Sequence, residues 1–494
     1  MSAGHLLLVK VGTEPGLEPI VNRLRLLLPK VKLFGITTEH SSTHTLYDVS
    51  VATSNDTVLG SYPELSSNTC FVRPELYELV MKHESALLRI CERVALHDLT
   101  SVARPHFPIP MFNNSFDDRQ QLVLRQFAFW DHVLQHHEIN AVVSQNYGHN
   151  LWDFALEIVT RSRQIPYLFF HEVRPFLSSQ YVCESVADLD DLSFGKHLIN
   201  KANSRGWSVG DSTERKSRML EQSGISRRPE ASQVEVPETQ SSKRSRPLVR
   251  LRHYSRYPLQ KLRKTIRRRI LTHKSKQEEK SVSTSTIPNN YVFMELQSQP
   301  NGTTARKGWM YPDLREMVGH ISQNLREGQT LVVRESPRQW ARMYPRRTGF
   351  WKSIAAIPRV VVVHATVPVD ELVRNATALI ETSYSTLALD AVSQGTPVIV
   401  LGHTHLRGIL GVFAVGVHGD LAHSMQLAEE FACKKPSLSE IGRSIDLWTN
   451  ETRDSTIEGA LSSFPTDVAD RNSYIDRITQ NVAGVIAAWV VEKI

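Results

Sequence analysis

"YSTLALDAVSQGTPVIVLG" (residues 384–402) carries four signals in nineteen letters. Ser385 and Thr386 open a helical run, Asp390 sits one turn in, Gly395 and Pro397 stop the helix, and VIVLG follows as a strand. ALIET, just before it, reads as another strand, so the stretch belongs to a parallel sheet with helices on its faces. In such sheets ligands bind beyond the carboxyl ends of the strands, where helix N-termini present free N–H groups. Thr382, Ser383, Ser385 and Thr386 fall at that place, and each can donate to a phosphate oxygen. Asp390, four residues beyond Thr386, can accept both hydroxyls of a ribose. The plainer account is a Ser or Thr cap followed by a solvated acid. Taken alone, the stretch leaves both open.

Outward from it, the same alternation recurs. NYVFMELQSQP (290–300), TLVVRESP and RVVVVHAT read as strands, separated by helices near 312–326 and 349–356 and followed by the helix PVDELVRNA. Residues 1–200 repeat the pattern. HLLLVKV (5–11), KLFGITT, INAVVSQN (139–146) and IPYLFFHE (165–172) alternate with helical runs, the longest near 74–98 and 116–137. Between them, about 203–288 is polar, rich in Ser, Pro and Glu, and without a sustained period, which reads as a disordered linker. The reading is therefore α/β, with two Rossmann-like doubly wound domains: 1–202, a polar and basic insertion at 203–288, and 289–494 ending in an amphipathic closing helix. Two such domains on a long connection resemble the GT-B architecture of glycosyltransferases.

Composition narrows the class. A chain of 494 residues with 41% hydrophobic and 22% charged residues is globular and too long for one ordinary core. The cysteines (Cys70, Cys91, Cys183, Cys433) form no CxxC pair and no zinc spacing, which fits a reducing cytosol. HLLLVKV contains a lysine and reads as a strand, not a signal peptide, and no apolar run reaches the ~18–20 residues of a membrane span. The formal charge of +7 is uneven: residues 243–276 hold fourteen Lys/Arg and no Asp/Glu, leaving the rest near −7. Leucines and isoleucines set among those arginines, after Pro258, predict a short amphipathic basic helix suited to an anionic membrane surface; an inert solvated linker is the alternative. An RNP, zinc-finger or helix-turn-helix context is lacking, so nucleic acid is not the expected partner.

The order strand, ST, acid, A, G, P, strand resembles the "STxGxEAxxxGxPVxxxG" signature of the capsule polysaccharide biosynthesis family, GT-B glycosyltransferases typified by the Kdo transferases. The matching residues are Ser385, Thr386, Asp390, Ala391, Gly395, Pro397, Val398 and Gly402; Ala388 stands where the family has Gly, and Asp390 where it has Glu. Upstream, Gln299, Pro300, Thr303, Thr304, Gly308, Tyr311 and Asp313 resemble the family's Gln-Pro, Thr-Thr, Gly, Tyr, acid stretch. LVVRESPRQW (331–340) occupies the place of the family's V-K-E-H-P segment, with Ser336 in place of the phosphate-contacting histidine and Arg334 and Arg338 beside it. Arginine forks suit phosphate; the dull alternative is a pair of strand-end surface charges.

The resemblance implies a nucleotide-sugar donor, suggested as a CMP-activated acidic sugar, and a capsular polysaccharide or glycolipid acceptor. The donor would be held by Gln299, Thr304, Arg334, Ser336, Arg338, Ser383, Ser385, Thr386 and Asp390. It implies no metal and no other cofactor; His403 and His405 lack a third ligand at fitting spacing. On the acceptor side, the loop SQNYGHN and the strand end at His171–Glu172 offer His149 and Glu172 as catalytic acid or base. The expected location is cytoplasmic, peripheral at the inner face of the cell membrane. Rival readings are a UDP-sugar 2-epimerase of the same fold and a non-catalytic, transferase-like scaffold, the latter favoured by Ser336.

Overall fold

The computed structural model describes residues 4–9, 11, 18–37, 46–53, 74–83, 116–145, 151–172, 179–207, 258–297, 313–341, 345–383, 385–416, 419–458 and 471–494. Its frame is two sheets. The first holds β1 (Gly4–Val9), β2 (Val31–Thr37), β3 (Val49–Thr53), β4 (Ala141–Ser144), β5 (Tyr167–Glu172), β6 (Ser179–Cys183) and β13 (Thr456–Glu458), in the order β13-β6-β5-β4-β1-β2-β3. The second holds β7 (Tyr291–Leu296), β8 (Thr330–Glu335), β9 (Val360–Val363), β10 (Ala378–Glu381), β11 (Val398–Val400) and β12 (Val412–Ala414), in the order β12-β11-β10-β7-β8-β9. Every pairing in the second sheet is parallel; in the first, β6 runs antiparallel to both neighbours. Counted along the chain, the second sheet is the 3-2-1-4-5-6 Rossmann order and the first begins 3-2-1-4-5. The expected doubly wound α/β class, in two domains as in GT-B, is what the strands build.

The strands read as continuous apolar runs because both of their faces are covered. In β1, Leu7 and Val9 enter one core while Leu6 and Leu8 enter another. Leu7 and Val9 belong with Phe127 and Trp130 of the helix Phe116–His136 and with Leu156 of the helix Leu151–Ser162. Leu6 and Leu8 belong with Ile478, Val482, Ile486 and Trp489 of the last helix, Arg471–Lys493. The chain thus returns: that closing helix and β13 lie on the first sheet, although the expected bounds of 289–494 put them in the second domain.

The quoted stretch folds as its residues dictate. The helix Thr386–Ser393 ends in a Schellman motif, with Gly395 N donating to Val392 O at 2.9 Å and Thr396 N to Ala391 O at 3.0 Å. Gly395 has φ +88°, open to glycine without strain, and Pro397 prevents any continuation.

The insertion departs from its reading. Residues 193–204 are helical, 208–257 lie outside the described residues, and the basic helix that starts at Pro258 runs 25 residues, to Val282. Its second half buries Thr272, Ser275 and Glu279, and Thr284 bridges to Val363 on the edge of the second sheet. The helix therefore begins well before residue 289, inside the segment read as a linker.

Candidate functional site

In the second sheet the chain lays down β7, β8 and β9 to one side, then crosses back to place β10 on the other side of β7. The carboxyl ends of β7 and β10 flank that topological switch point, where a doubly wound sheet opens a crevice. β7 ends in Glu295-Leu296-Gln297, β8 in Arg334-Glu335-Ser336 and β10 in Glu381-Thr382-Ser383. Each apolar run carries a glutamate at or next to its end; Glu335 and Glu381 are buried, and the Glu295 side chain is 22% exposed.

Two of the three face a guanidinium. Glu295 and Arg334 are cross-strand register partners, and Arg334 Nη1 donates to Glu295 Oε2 at 2.5 Å while its Nη2 donates to Ala365 O at 2.8 Å. Glu335 takes a two-pronged contact from Arg346, Nε at 2.8 Å and Nη2 at 2.7 Å, and Nη2 also reaches Gln297 O. Burial pushes both carboxyls up, against the pull of these arginines. Glu381, at 2% exposure, has instead a hydroxyl and an amide: Ser385 Oγ lies 2.6 Å from its Oε1, and the Gln297 side chain hydrogen-bonds it. Burial, with the charge of Glu295 adding, carries its carboxyl up to about 8. Gln297 Nε2 also donates to Ser383 Oγ at 3.3 Å, which ties the two sides of the switch point together.

Three buried donors at these strand ends have no partner among the described residues: Thr382 Oγ1, Arg334 Nε and Arg346 Nη1. Such orphaned donors cost roughly 1–3 kcal/mol each, more when charged, and call for an acceptor.

Of the residues read from the sequence, the structure brings Arg334, Ser336, Ser383 and Ser385 to this cluster. Arg334 is 5% exposed and no surface charge. The Ser336 hydroxyl bonds Glu295. Ser385 occupies the N-cap position, yet its side chain turns to Glu381 and makes no cap bond. Thr386 is exposed at the first helical turn, and Asp390 is half-buried one turn further. Gln299, Thr304 and His149 lie outside the described residues, as do the side chains of Arg338 and Glu172; Glu172 ends β5, paired with Gln180. Glu295, Glu335, Glu381, Gln297 and Arg346 were not singled out by the sequence reading. The signal for the three acids was present as a glutamate closing each apolar run in VFME, LVVRE and ALIE.

The loop after β11 crosses to the first domain. Asp190, at the end of the short 3₁₀ turn Val186–Leu189, accepts from His403 Nδ1 at 2.6 Å and Thr404 N at 2.8 Å, with Arg407 Nε at 3.3 Å. Burial works to raise the Asp190 carboxyl, but the His403 and Thr404 hydrogen bonds and the His403 and Arg407 charges outweigh it and hold it below the usual range. His405 lies 5.4 Å from Tyr181 and 6.4 Å from His171, ring centre to ring centre, and stacks on Trp448. His171 stands at the carboxyl end of β5 and this loop at the carboxyl end of β11, so those edges of the two sheets confront each other. Among the described residues no group of three or more His, Cys, Asp or Glu could hold a metal, and no helix is long and apolar enough to cross a membrane.

No family model matches the sequence, and no curated protein matches it. Among solved structures the chain is similar to UDP-GlcNAc 2-epimerase from Neisseria meningitidis bound to UDP-GlcNAc, with 11% identity, 90% of this chain and 99% of that one covered, and a TM-score of 0.23. It is also similar to CalG4, the calicheamicin glycosyltransferase, with 11% identity, 97% and 100% covered, and a TM-score of 0.26. The glycosyltransferase of kitacinnamycin is a third, with 9% identity, 100% of each chain covered and a TM-score of 0.22. At such low TM-scores these likenesses decide neither activity nor substrate, and the fold rests on the strand orders.

Proposed function

We propose that the chain is a nucleotide-sugar-dependent glycosyltransferase of the GT-B type, which moves a sugar from a nucleotide donor to a capsular polysaccharide or glycolipid acceptor. The observation that carries this reading is the switch point of the second sheet, where hydroxyls, a helix N-terminus and buried donors without a partner among the described residues converge. Ser383, Ser385 and Thr386 offer hydroxyls to the donor phosphate, helped by the first-turn N–H groups, and Asp390 takes the ribose hydroxyls. Arg334 Nε and Arg346 Nη1 supply further donors, although most of each guanidinium is already engaged. Ser336, Arg338, Gln299 and Thr304 complete the donor side, and His149 and Glu172 serve the acceptor from the first domain. In the reaction the bond from the anomeric carbon to the phosphate oxygen breaks and a bond to the acceptor oxygen forms. The acceptor proton passes to the base, and the leaving phosphate keeps its electron pair among these donors. The resemblance suggests a CMP-activated acidic sugar as donor.

A thermal-shift series with CMP, UDP and GDP, without added metal, tests the reading. A nucleotide at a hundred times its dissociation constant stabilises the fold by about 2.7 kcal/mol. One of the three is expected to do so, with the shift lost in Asp390→Ala. Sugar release from a UDP-sugar without any acceptor would reassign the chain to the UDP-sugar 2-epimerase reading. No shift with any of the three would leave the non-catalytic scaffold as the better account.

A further inference from the structure

None of the three glutamates takes part in the proposed chemistry, and the third differs from the other two in its partners. Glu295 and Glu335 each face an arginine, but Glu381 is buried among neutral partners, Ser385 and Gln297. Ser385 Oγ is only 2.6 Å from Glu381 Oε1, and that hydroxyl sits at the N-cap of the helix that opens onto the switch point. A hydroxyl has one hydrogen to give. If the carboxyl were ionised, Ser385 would spend that hydrogen on it and turn only lone pairs toward an incoming phosphate. If the carboxyl carries its proton on Oε1, the direction reverses.

We infer that Glu381 is a positioning residue of the donor site: its protonated carboxyl donates to Ser385 Oγ and so leaves the Ser385 hydrogen for an anionic oxygen of the ligand. The inference rests on the donor-site reading, which supplies that ligand. Burial places the carboxyl at about 8, so the protonated form prevails at neutral pH. The charged groups around it favour the same state. Glu295, on the neighbouring strand, raises it; Arg334 and Arg346 are held by Glu295 and Glu335; Asp390 lies one turn along the following helix and adds no positive charge. The Gln297 contact to Ser383 links the same carboxyl to the second hydroxyl of the site. Glu381 thus sets the polarity of the Ser385 hydroxyl without touching the ligand.

Glu381→Gln separates this role from a merely structural one, because its amide also donates to Ser385 Oγ but does not titrate. The first measurement is the unfolding equilibrium of the free protein in urea, wild type against Glu381→Gln, from pH 5.5 to 8.5. A proton retained by the folded chain and lost by the unfolded one makes wild type lose ground on Glu381→Gln by up to about tenfold in the unfolding constant per pH unit, until the carboxyl ionises near 8. The second is affinity for whichever of CMP, UDP and GDP gives the thermal shift, over pH 7 to 9. There the second ionisation of a phosphate, near pH 6, is already about nine-tenths complete at the lower end and is common to both proteins. Wild type is expected to lose affinity above about pH 8 while Glu381→Gln binds as tightly as wild type at pH 7 and stays level. Parallel urea profiles for the two proteins overturn the inference whether or not a nucleotide binds. So does a Glu381→Gln protein that cannot bind the nucleotide wild type binds. A clear difference in the urea profiles with no nucleotide bound by wild type overturns the donor-site reading instead, and the role given to Ser385 falls with it.

Discussion

Asp190 shows how much of the domain contact one carboxylate holds. It takes His403 Nδ1, Thr404 N and Arg407 Nε from a loop of the other domain, with its own side chain 19% exposed. Hydrogen bonds to a charged group are worth about 1.5–3 kcal/mol, so Asp190→Asn is expected to lower stability by about 1–3 kcal/mol at pH 7, measured by urea unfolding. The carboxyl is held below its ordinary value in the folded chain, so this contribution is present above the unfolded value of 3.8 and is lost as pH falls through the folded one. Wild type and Asp190→Asn should therefore begin to converge as pH falls below 3.8 and meet only below the lower folded value, and a gap that stays unchanged throughout that fall would deny the ionised contact. The sequence exposed His403 and His405 as a pair without a third metal ligand. It could not show Asp190, because a partner more than two hundred residues away leaves no local pattern.

The element that most changed its reading is the helix Pro258–Val282. Pro258 marked its start because proline suits the first helical turn, but the basic run hid its end. The end is fixed by the two acids after that run. Glu278 reaches the helix Phe350–Ala355, with Gly349 N at 3.0 Å from its Oε2 and Lys352 N at 3.1 Å from its Oε1. The N-cap there is Gly349, which has no side chain of its own, so Glu278 caps that helix from outside. Glu278→Ala keeps helix propensity and removes both bonds; it is expected to cost about 1–2 kcal/mol and to speed hydrogen exchange at Gly349 and Lys352 above all other amides. Uniform protection in the variant would mean the contact contributes nothing. Legibility elsewhere followed the same physics. β1, β4, β7, β8 and β10 were readable because helices cover both faces and the runs are unbroken. β13, three residues (Thr456–Glu458) whose partner Ser179–Cys183 is far away in sequence, was not.

At the scale of the whole chain, charge is segregated along the sequence. The cationic run 243–276 opposes a remainder near −7, and its described part is the first three-quarters of the helix that docks by its acidic end. Residues 243–257 lie outside the described residues. On the free part Ile266 and Ile270, one turn apart, are 48% and 50% exposed, with Arg269 exposed between them. Apolar side chains one turn apart among cations suit the boundary between headgroups and acyl chains, and each Lys or Arg near anionic lipid contributes about 1 kcal/mol. The same helix carries Ser275, whose Oγ accepts from the backbone N of Arg346, the residue that clamps Glu335. A membrane contact and the proposed donor site would therefore share one rigid element. The full chain is expected to sediment with phosphatidylcholine vesicles containing 30% phosphatidylglycerol and not with phosphatidylcholine alone, and to be released as salt rises toward 0.5 M. Replacing Ile266 and Ile270 together by aspartate, at exposed positions where the fold loses little, should weaken that binding at least tenfold. Equal binding to both kinds of vesicle, or capture by double-stranded DNA at a salt concentration where vesicles are not bound, would remove the lipid surface as the partner.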